Sequence, residues 1–313
     1  MTLIEVQSPG MQTTVQDLGR IGFGHVGVSA CGAADRMALR IGNRLLGNPD
    51  RAAALEMTLT GGRFLIRGSA WLALAGADFA ATLDDVPVPL WTPFQAAAGQ
   101  SLALGGARVG ARCYLCVRGG IETPEVLGSR STHVPSRIGG LAGRALMKRD
   151  VLPIGEPESG LPPRQIRPEV LGQLRPASDV LRIIEAAQSA SFPPSSRAGL
   201  LAESWSVQTD SSRMGVRLSG VALAAPLGGS MTTEGAPLGA IQVPPSGEPV
   251  ILFVDHQTTG GYPKIGCVIS ADRWRIGQLR PHQTVRFKLV FFEDARRLLM
   301  AQEELMRPEV LCL

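Results

Sequence analysis

Short apolar runs recur along the whole chain, and glycine or proline separates most of them. The sequence contains 37 glycines and 23 prolines among its 313 residues. Apolar runs of a few residues bounded by such breakers are typical of β-strands, because helices need longer periodic segments. The pattern predicts strands at 3–7, 54–59, 63–67, 70–75, 101–104, 112–118, 180–185, 205–209, 216–219, 240–243, 250–254, 266–270 and 284–290.

Three segments follow helical spacing instead. Residues 33–46 place apolar side chains near one helical face, and the Gly-Asn-Pro sequence that follows them ends the helix. Further helices are expected at 195–203 and 293–305. The apolar positions that support the first and last of these helices are Met37, Ile41, Leu45, Leu46, Ala295, Leu298, Leu299 and Leu305.

A change of composition near the middle of the chain marks a domain boundary. Residues 155–177 are rich in proline and polar side chains, which disfavour regular structure and cannot bury a core. We therefore predict a mainly β protein with lobes at 1–157 and 179–313 and a linker at 158–178. The lobes are similar in size and texture, as in a duplicated barrel, although the sequence shows no residue-level repeat.

Composition and charge narrow the function classes. Hydrophobic residues make up 44% of the chain and charged residues 19%, as in globular proteins. The net charge of +4 is spread without a basic run, which argues against nucleic acid as a partner. The N-terminus lacks a signal-peptide pattern, and no apolar run reaches the roughly 20 residues of a membrane helix. We expect a cytoplasmic protein without membrane contact, whose five cysteines are reduced thiols.

Familiar catalytic and cofactor motifs are missing or lie in the wrong context. Gly22, Gly24 and Gly27 form a G-x-G-x-x-G, but a dinucleotide site requires a strand directly before it and a helix directly after it. Cys113 and Cys116 form a C-x-x-C in a predicted strand, where residues three apart point to opposite faces, so we expect buried thiols. No Walker motif, histidine pair or G-x-S-x-G occurs, and we predict no metal site.

The segment 248–271 combines two apolar β runs with a polar, glycine-containing loop between them. Rigid strands that present such a loop often form binding sites, because glycine permits close ligand approach. A merely solvated hairpin loop is the alternative that this segment alone leaves open. The polar residues of the loop include Asp255, Gln257, Thr258, Tyr262 and Lys264.

Three further polar clusters lie beside glycine or proline turns. They contain Asp17 and Arg20, Arg213 and Arg217, and Glu234 and Gln242. Each cluster alone has a structural explanation, because carboxylates cap turns and arginines bind backbone carbonyls. Together with the loop they supply carboxylates, guanidinium donors, an amide and an ammonium. This set suits a small polar molecule that carries a carboxylate and an amide or urea group.

Several of these segments also resemble a known family. They are TTVQDLGR (13–20), GNPDRAAALEMTLTGG (47–62), YLCVRGG (114–120), LGSRST (127–132), RMGVRLSG (213–220) and GAIQVPPSGEPVILFVDHQTTGGYPKI (239–265). In order and spacing they resemble the allophanate hydrolase subunit 2 family, also called KipA, the 5-oxoprolinase C component or biotin-dependent carboxyltransferase-like. Departures from the family pattern are few, at Arg149, Ser212, Thr233 and His256, and of these only Ser212 adjoins a candidate cluster.

The resemblance implies two cyclophilin-like β-barrel lobes with a few short helices. It further implies the C component of an ATP-dependent 5-oxoprolinase, which hydrolyses 5-oxo-L-proline to L-glutamate with a subunit 1 (KipI-like) protein and a LamB/YcsF-type protein. We expect the isolated chain to be inactive and ATP to bind mainly on a partner protein. Two alternatives stay open. One is the carboxyltransferase component of a urea or amide carboxylase that uses carboxybiotin, and the other is a non-enzymatic regulator that binds a KipI-like kinase inhibitor.

The matching segments contain the candidate catalytic residues. Glu234 or Asp255 would act as general acid or base, and Lys264, together with glutamine amides, would stabilise the charge that develops on oxygen. Arg213 would hold the carboxylate of a small amide substrate. The residues assigned to substrate binding are Arg213, Gln242, Gln257, Thr258, Tyr262, Asp17 and Arg20.

Overall fold

The chain forms two compact units in the computed structural model, which describes residues 2–157, 160, 162–175 and 177–313. The first unit comprises Met1–Arg20, Cys31–Leu174 and Leu305–Leu313, and the second comprises Ile21–Ala30 and Arg175–Glu304. Helices are short, at α1 (Arg36–Leu45), α2 (Pro168–Leu174), α3 (Pro194–Ala202), α4 (Arg273–Ile276), α5 (Phe292–Leu305) and α6 (Pro308–Leu311). Among the described residues, no helix combines the length and apolar character needed to cross a membrane.

Strands of the first unit form two sheets. Their bounds are β1 (Leu3–Ser8), β2 (Gln12–Gln16), β3 (Ala54–Thr58), β4 (Arg63–Arg67), β5 (Ala70–Asp78), β6 (Thr82–Leu83), β7 (Val86–Pro87), β8 (Pro93–Ala96), β9 (Ser101–Ala103), β10 (Val109–Val117) and β11 (Val151–Pro153). In the described residues the orders are β11-β1-β4-β9-β6-β7 and β2-β3-β10-β5-β8.

Side chains from both of these sheets share one hydrophobic core. Alternate residues of β1 and β4, such as Ile4 and Phe64, are buried in it, and β10 contributes Leu115. The alternation places one face of each strand inside and the other outside. The barrel expected for the first lobe is thus found as two sheets around a common core.

The two cysteines of the C-x-x-C point to opposite sides of β10. Cys113 belongs to the shared core, whereas Cys116 faces α1, where a Cβ added to Gly42 would lie 2.6 Å from its Sγ. Both thiols are free and buried, and burial raises the pKa of each. Their close packing against the helix and the core confirms the expectation of buried thiols.

The second unit is built around a closed barrel. Its strands are β12 (Val180–Glu185), β13 (Trp205–Val207), β14 (Gly215–Ser219), β15 (Glu234–Gly235), β16 (Ala240–Gln242), β17 (Val250–Leu252), β18 (Thr259–Gly260), β19 (Lys264–Val268) and β20 (Thr284–Leu289). The barrel order is β12-β19-β16-β17-β14-β13-β20, and it closes through a parallel pair of β12 with β20. Strands β15 and β18 form a separate two-stranded sheet.

The predicted mainly β fold with a few short helices is confirmed, but the predicted segment limits differ in places. The division of the chain falls inside the predicted 158–178 linker, whose residues 158, 159, 161 and 176 lie outside the described residues. Helix α2 forms in the same stretch because its apolar side chains, Val170 and Leu174, are buried. The linker stretch belongs to the first unit as far as Leu174. Two other segments also depart from the predicted lobes: residues 21–30 belong to the second unit and residues 305–313 to the first.

Three smaller differences from the predicted elements concern α1, β2 and α5. Helix α1 starts at Arg36 rather than at 33, because the Asp35 carboxylate caps it by accepting the Ala38 N–H at 2.8 Å. Strand β2 escaped prediction because its sequence, QTTVQ, is mostly polar although most of it is buried. None of the residues of α5 is fully buried, so its predicted apolar face is only partly covered.

Candidate active site

Two buried hydrogen-bond donors lie side by side in the barrel wall of the second unit. Gln242 on β16 is the register partner of Lys264 on β19, and paired residues of neighbouring strands direct their side chains to the same face. Lys264 is 4% exposed and Gln242 is 2% exposed. Within the described part of the chain, Gln242 Nε2 has no hydrogen-bond partner, and Lys264 Nζ contacts the Glu234 carboxylate. An unsatisfied buried donor costs free energy, and a ligand oxygen that accepts from the Gln242 amide would remove this cost.

The Glu234 carboxylate stands next to the Lys264 ammonium. Strand β15 carries Glu234 and pairs with β18, so that Glu234 is opposite Gly260. Glu234 Oε1 lies 2.6 Å from Lys264 Nζ and accepts a hydrogen bond of 3.0 Å from Gln188 Nε2. An ammonium has three protons, so the one that faces Glu234 leaves two for another acceptor.

The state of Glu234 follows from these contacts. The Lys264 ammonium holds the pKa of Glu234 below its ordinary value; burial opposes this effect, and the hydrogen bond from the Gln188 amide lowers the pKa further. Glu234 is therefore ionised at neutral pH and has no proton to donate. A general base works best when its pKa is near the operating pH, so the geometry favours charge orientation over the predicted acid or base role.

The Gln242 amide packs closely against a glycine, Gly260. A Cβ added to Gly260 would lie 2.8 Å from Gln242 Nε2 and 3.5 Å from Gln257 Nε2. Both predicted glutamines thus approach the same point on β18, with Gln257 exposed and Gln242 buried. A side chain at position 260 would crowd the Gln242 amide and displace it from its present place.

Arg213 and Asp255 bind each other. Arg213 Nε and Nη2 donate to the two carboxylate oxygens of Asp255 at 2.8 and 2.9 Å, and both side chains are buried. The Asp255 N–H also donates to the Arg213 carbonyl at 2.8 Å. This bidentate pair differs from the predicted roles, in which Arg213 binds a substrate carboxylate and Asp255 transfers protons. The pair instead fixes the start of the polar loop to the turn before β14.

The remaining predicted loop residues are Thr258, which makes a backbone hydrogen bond, and Tyr262, whose side chain is partly exposed. The Thr258 carbonyl accepts the Ala236 N–H at 3.0 Å, which continues the pairing of β15 with β18. Tyr262 is 44% exposed. Both residues lie on the loop that leads from Asp255 to Lys264, so they flank the donors without belonging to the barrel wall.

Asp17 and Arg20 belong to the first unit, unlike the other predicted site residues. The Asp17 carboxylate accepts hydrogen bonds from the N–H groups of Gly19 and Arg130 and from the Ser129 and Ser131 hydroxyls. Arg20 is 1% exposed, and its Nη2 donates to the Ser131 carbonyl. Both side chains therefore organise the 127–132 loop, and their predicted role in substrate binding stays a prediction.

A cavity of about 540 Å³ in the first unit was not anticipated from single residues. It lies among the segments 47–62, 114–120 and 127–132, which are among those that resemble the family, so that resemblance could have served as the signal. Its charged lining residues are Asp17, Arg51, Glu122, Glu125, Arg130 and Glu156. In the described residues, no group of three or more histidine, cysteine, aspartate or glutamate side chains is placed to hold a metal ion.

A family model described as carboxyltransferase domain, subdomain A and B, matches residues 26–289. The chain belongs to this carboxyltransferase family. Similar proteins include the 5-oxoprolinase C component of Escherichia coli (strain K12), 39% identical over 94% of this chain and 93% of the relative. The same component of the Haemophilus influenzae enzyme is 37% identical over 95% of this chain and 94% of the relative.

Solved structures of the family agree with the fold. The Kluyveromyces lactis urea carboxylase matches 97% of this chain with a TM-score of 0.91 and 32% identity, and the urea amidolyase of the same organism matches with a TM-score of 0.90. This chain spans only 29% of the first of these proteins and 20% of the second. The carboxyltransferase fold therefore occurs both as a chain of this length and as part of much longer proteins.

Proposed function

We propose that the chain is the C component of an ATP-dependent 5-oxoprolinase, which opens 5-oxo-L-proline to L-glutamate. The proposal includes two partners, a subunit 1 (KipI-like) protein and a LamB/YcsF-type protein. It is supported by the relatives named as this component of 5-oxoprolinase, which match over more than nine tenths of both chains. Because those relatives are named as parts of a larger enzyme, the isolated chain is expected to be inactive.

The observation that carries the proposal is the pair of buried donors on β16 and β19: Gln242 Nε2 has no hydrogen-bond partner in the described residues, and the Lys264 ammonium keeps two protons beyond the one that faces Glu234. A lactam oxygen accepts two hydrogen bonds, and it gains negative charge when water adds to the ring carbon. Donors fixed before the reaction stabilise that charge more than they stabilise the ground state. Glu234 balances the ammonium and orients it, since the two groups are 2.6 Å apart.

The net reaction adds water to the ring carbon and breaks the carbon–nitrogen bond, which frees the amine of glutamate. A five-membered lactam is resonance-stabilised, and ATP would supply a phosphoryl group that traps the oxyanion formed when water adds. The carbon–nitrogen bond then breaks to give an acyl phosphate of glutamate, which a second water hydrolyses to glutamate and phosphate. The residues of this chain do not fit a nucleotide site at the G-x-G-x-x-G. There Gly24 opens an isolated 3-10 turn, Gly24–Val26, instead of a helix after a strand. The proposal therefore leaves ATP with a partner protein.

Carboxyl transfer is the second candidate function. Membership of the carboxyltransferase family and the match to urea carboxylase favour it. The same two donors would then hold an oxygen of the carboxyl group carried by carboxybiotin or of a urea or amide acceptor. Nothing in the donor set distinguishes the two reactions, because both place negative charge on a carbonyl oxygen.

The test is ATP-dependent glutamate release from 5-oxo-L-proline by the purified chain with both partners, repeated with each protein left out. Turnover that requires all three proteins supports the proposal. Steady turnover by the isolated chain would overturn the assignment to a multi-protein enzyme. A folded complex without turnover would refute the oxoprolinase function. Urea or another small amide, offered with carboxybiotin, then tests carboxyl transfer. Tight partner binding without turnover in either assay would indicate the regulator.

A further inference from the structure

Gln188 contacts both Lys264 and Glu234, although sequence patterns did not suggest it. It follows β12 and precedes a short 3-10 turn, Ser189–Ser191. The buried Ser189 fixes this turn to the barrel, because its hydroxyl donates to the Ile265 carbonyl at 2.6 Å and accepts the Ala186 N–H at 2.7 Å. The backbone at position 188 is therefore anchored directly beside β19.

The Gln188 side chain joins the two parts of the candidate site. Its Nε2 donates to Glu234 Oε1 at 3.0 Å, and its Oε1 accepts the Lys264 backbone N–H at 3.4 Å. One amide group thus contacts both the residue that carries the ammonium and the carboxylate that faces it. An amide can do this because it is a donor and an acceptor at once.

Glu234 needs such an anchor. Its strand, β15, has two residues and pairs only with β18, another two-residue strand, within the described part of the chain. The Glu234 side chain is 40% exposed, and Lys264 is the one charged group within 4 Å of it among the described residues. Two-residue pairings restrain a side chain weakly, and a solvated ion pair contributes little by itself.

We infer that Gln188 is a positioning residue, which ties Glu234 to the barrel so that the Lys264 ammonium stays oriented toward the bound oxygen. The effect of Gln188 on catalysis rests on the proposed function. The contacts among Gln188, Glu234 and Lys264 do not depend on that function. The common contact is Glu234 Oε1, which meets the ammonium from one side and the Gln188 amide from the other. Gln188 itself touches no reacting atom in this account.

The first test measures the ionisation of Glu234 in the full-length isolated chain. Glutamate is labelled with ¹³C at the carboxyl carbon, the Glu234 signal is assigned by its loss in Glu234→Gln, and the signal is followed against pH. Gln188→Ala removes a donor and should raise the pKa of Glu234, and the isosteric Gln188→Glu should raise it further, because a second carboxylate then faces the first. An unchanged pKa in Gln188→Glu would overturn the inference.

The second test measures turnover by the complex with its partners. Gln188→Ala should lower kcat by roughly tenfold to a hundredfold, the range expected for one hydrogen bond to a charged group, with a smaller change in KM. Gln302→Ala is the matched control, because Gln302 Nε2 donates to the Ala271 carbonyl at 3.0 Å in the same unit but away from Glu234. Loss of activity in both variants alike would mark Gln188 as merely structural.

The two tests separate the inference from the function on which it rests. If the wild-type complex shows no turnover, the proposed function fails, while the titration of Glu234 in the isolated chain still decides the position of Gln188. If turnover is present and the titration shows no effect of Gln188→Glu, the inference fails and the proposed function stands. Circular dichroism of each variant confirms that a changed signal does not come from unfolding.

Discussion

Replacing Arg213 with methionine leaves the buried Asp255 carboxylate without its bidentate partner. The two hydrogen bonds of 2.8 and 2.9 Å disappear, and the carboxylate, whose side chain is 2% exposed, cannot recover them from water. Removal of one member of a buried ion pair costs about 3–5 kcal/mol. We therefore expect Arg213→Met to lower the free energy of unfolding of the second unit by about that amount.

The double variant Arg213→Met/Asp255→Leu should recover much of this loss, because it leaves no uncompensated charge. Urea denaturation is followed by tryptophan fluorescence after Trp71 and Trp91 are replaced by phenylalanine. The remaining tryptophans, Trp205 and Trp274, both lie in the second unit.

Arg217→Met is the control for this experiment. Its ion pair with Asp210 has side chains 54% and 61% exposed, so it should cost less than about 1 kcal/mol. Equal, small losses for Arg213→Met and Arg217→Met would refute the buried-pair reasoning. They would restore the case for Arg213 as a receptor of a substrate carboxylate.

Two further predictions concern a glycine of the site and an acidic residue of the first unit. Gly260→Ala should reduce turnover of the complex by tenfold or more, on the order of one lost oxyanion donor, with little change in stability. The added Cβ would lie 2.8 Å from Gln242 Nε2, and steady-state kinetics with thermal unfolding checks this. Burial raises the pKa of Asp50, but hydrogen bonds from Arg44 and Arg40 more than offset it and hold the pKa below its ordinary value. The stabilisation is present above about pH 4 and is lost as pH falls through the folded-state pKa, so Asp50→Asn should flatten the acid limb of a stability–pH curve.

The positions of most of the longer strands followed from short apolar runs, but the shortest strands and the pairing partners did not. Strands β4 and β12 have the predicted bounds, because both are short runs rich in β-forming residues whose alternate side chains are buried. Strand β2 could not be predicted from apolar runs, because its sequence is mostly polar. Its threonines are buried because the strand pairs with β3. Strand pairing joins residues that are far apart in the chain, and local sequence patterns do not reveal these partners. The expectation of a barrel came from the resemblance to a family.

The sequence predicted which residues belong to the candidate site, but not which of them contact one another. The loop and its neighbouring turns supplied Glu234, Gln242 and Lys264, which β16, β19 and the pair of β15 with β18 bring together. Gln188 was missed because it lies 76 residues from Lys264 in an unremarkable sequence. The pairing of Arg213 with Asp255, 42 residues apart, was missed because each charge by itself suits a role toward substrate.

The most direct test of the central claim is the kcat of the complete complex with Lys264→Met, compared with Lys288→Met. Lys288 is an exposed lysine on β20 of the same barrel, so its loss removes a charge without touching the site. The buried-donor account predicts that Lys264→Met lowers kcat for 5-oxo-L-proline by about 10²–10³, as expected for a lost oxyanion donor, and that Lys288→Met is neutral. Near-normal kcat in a folded Lys264→Met complex would contradict it.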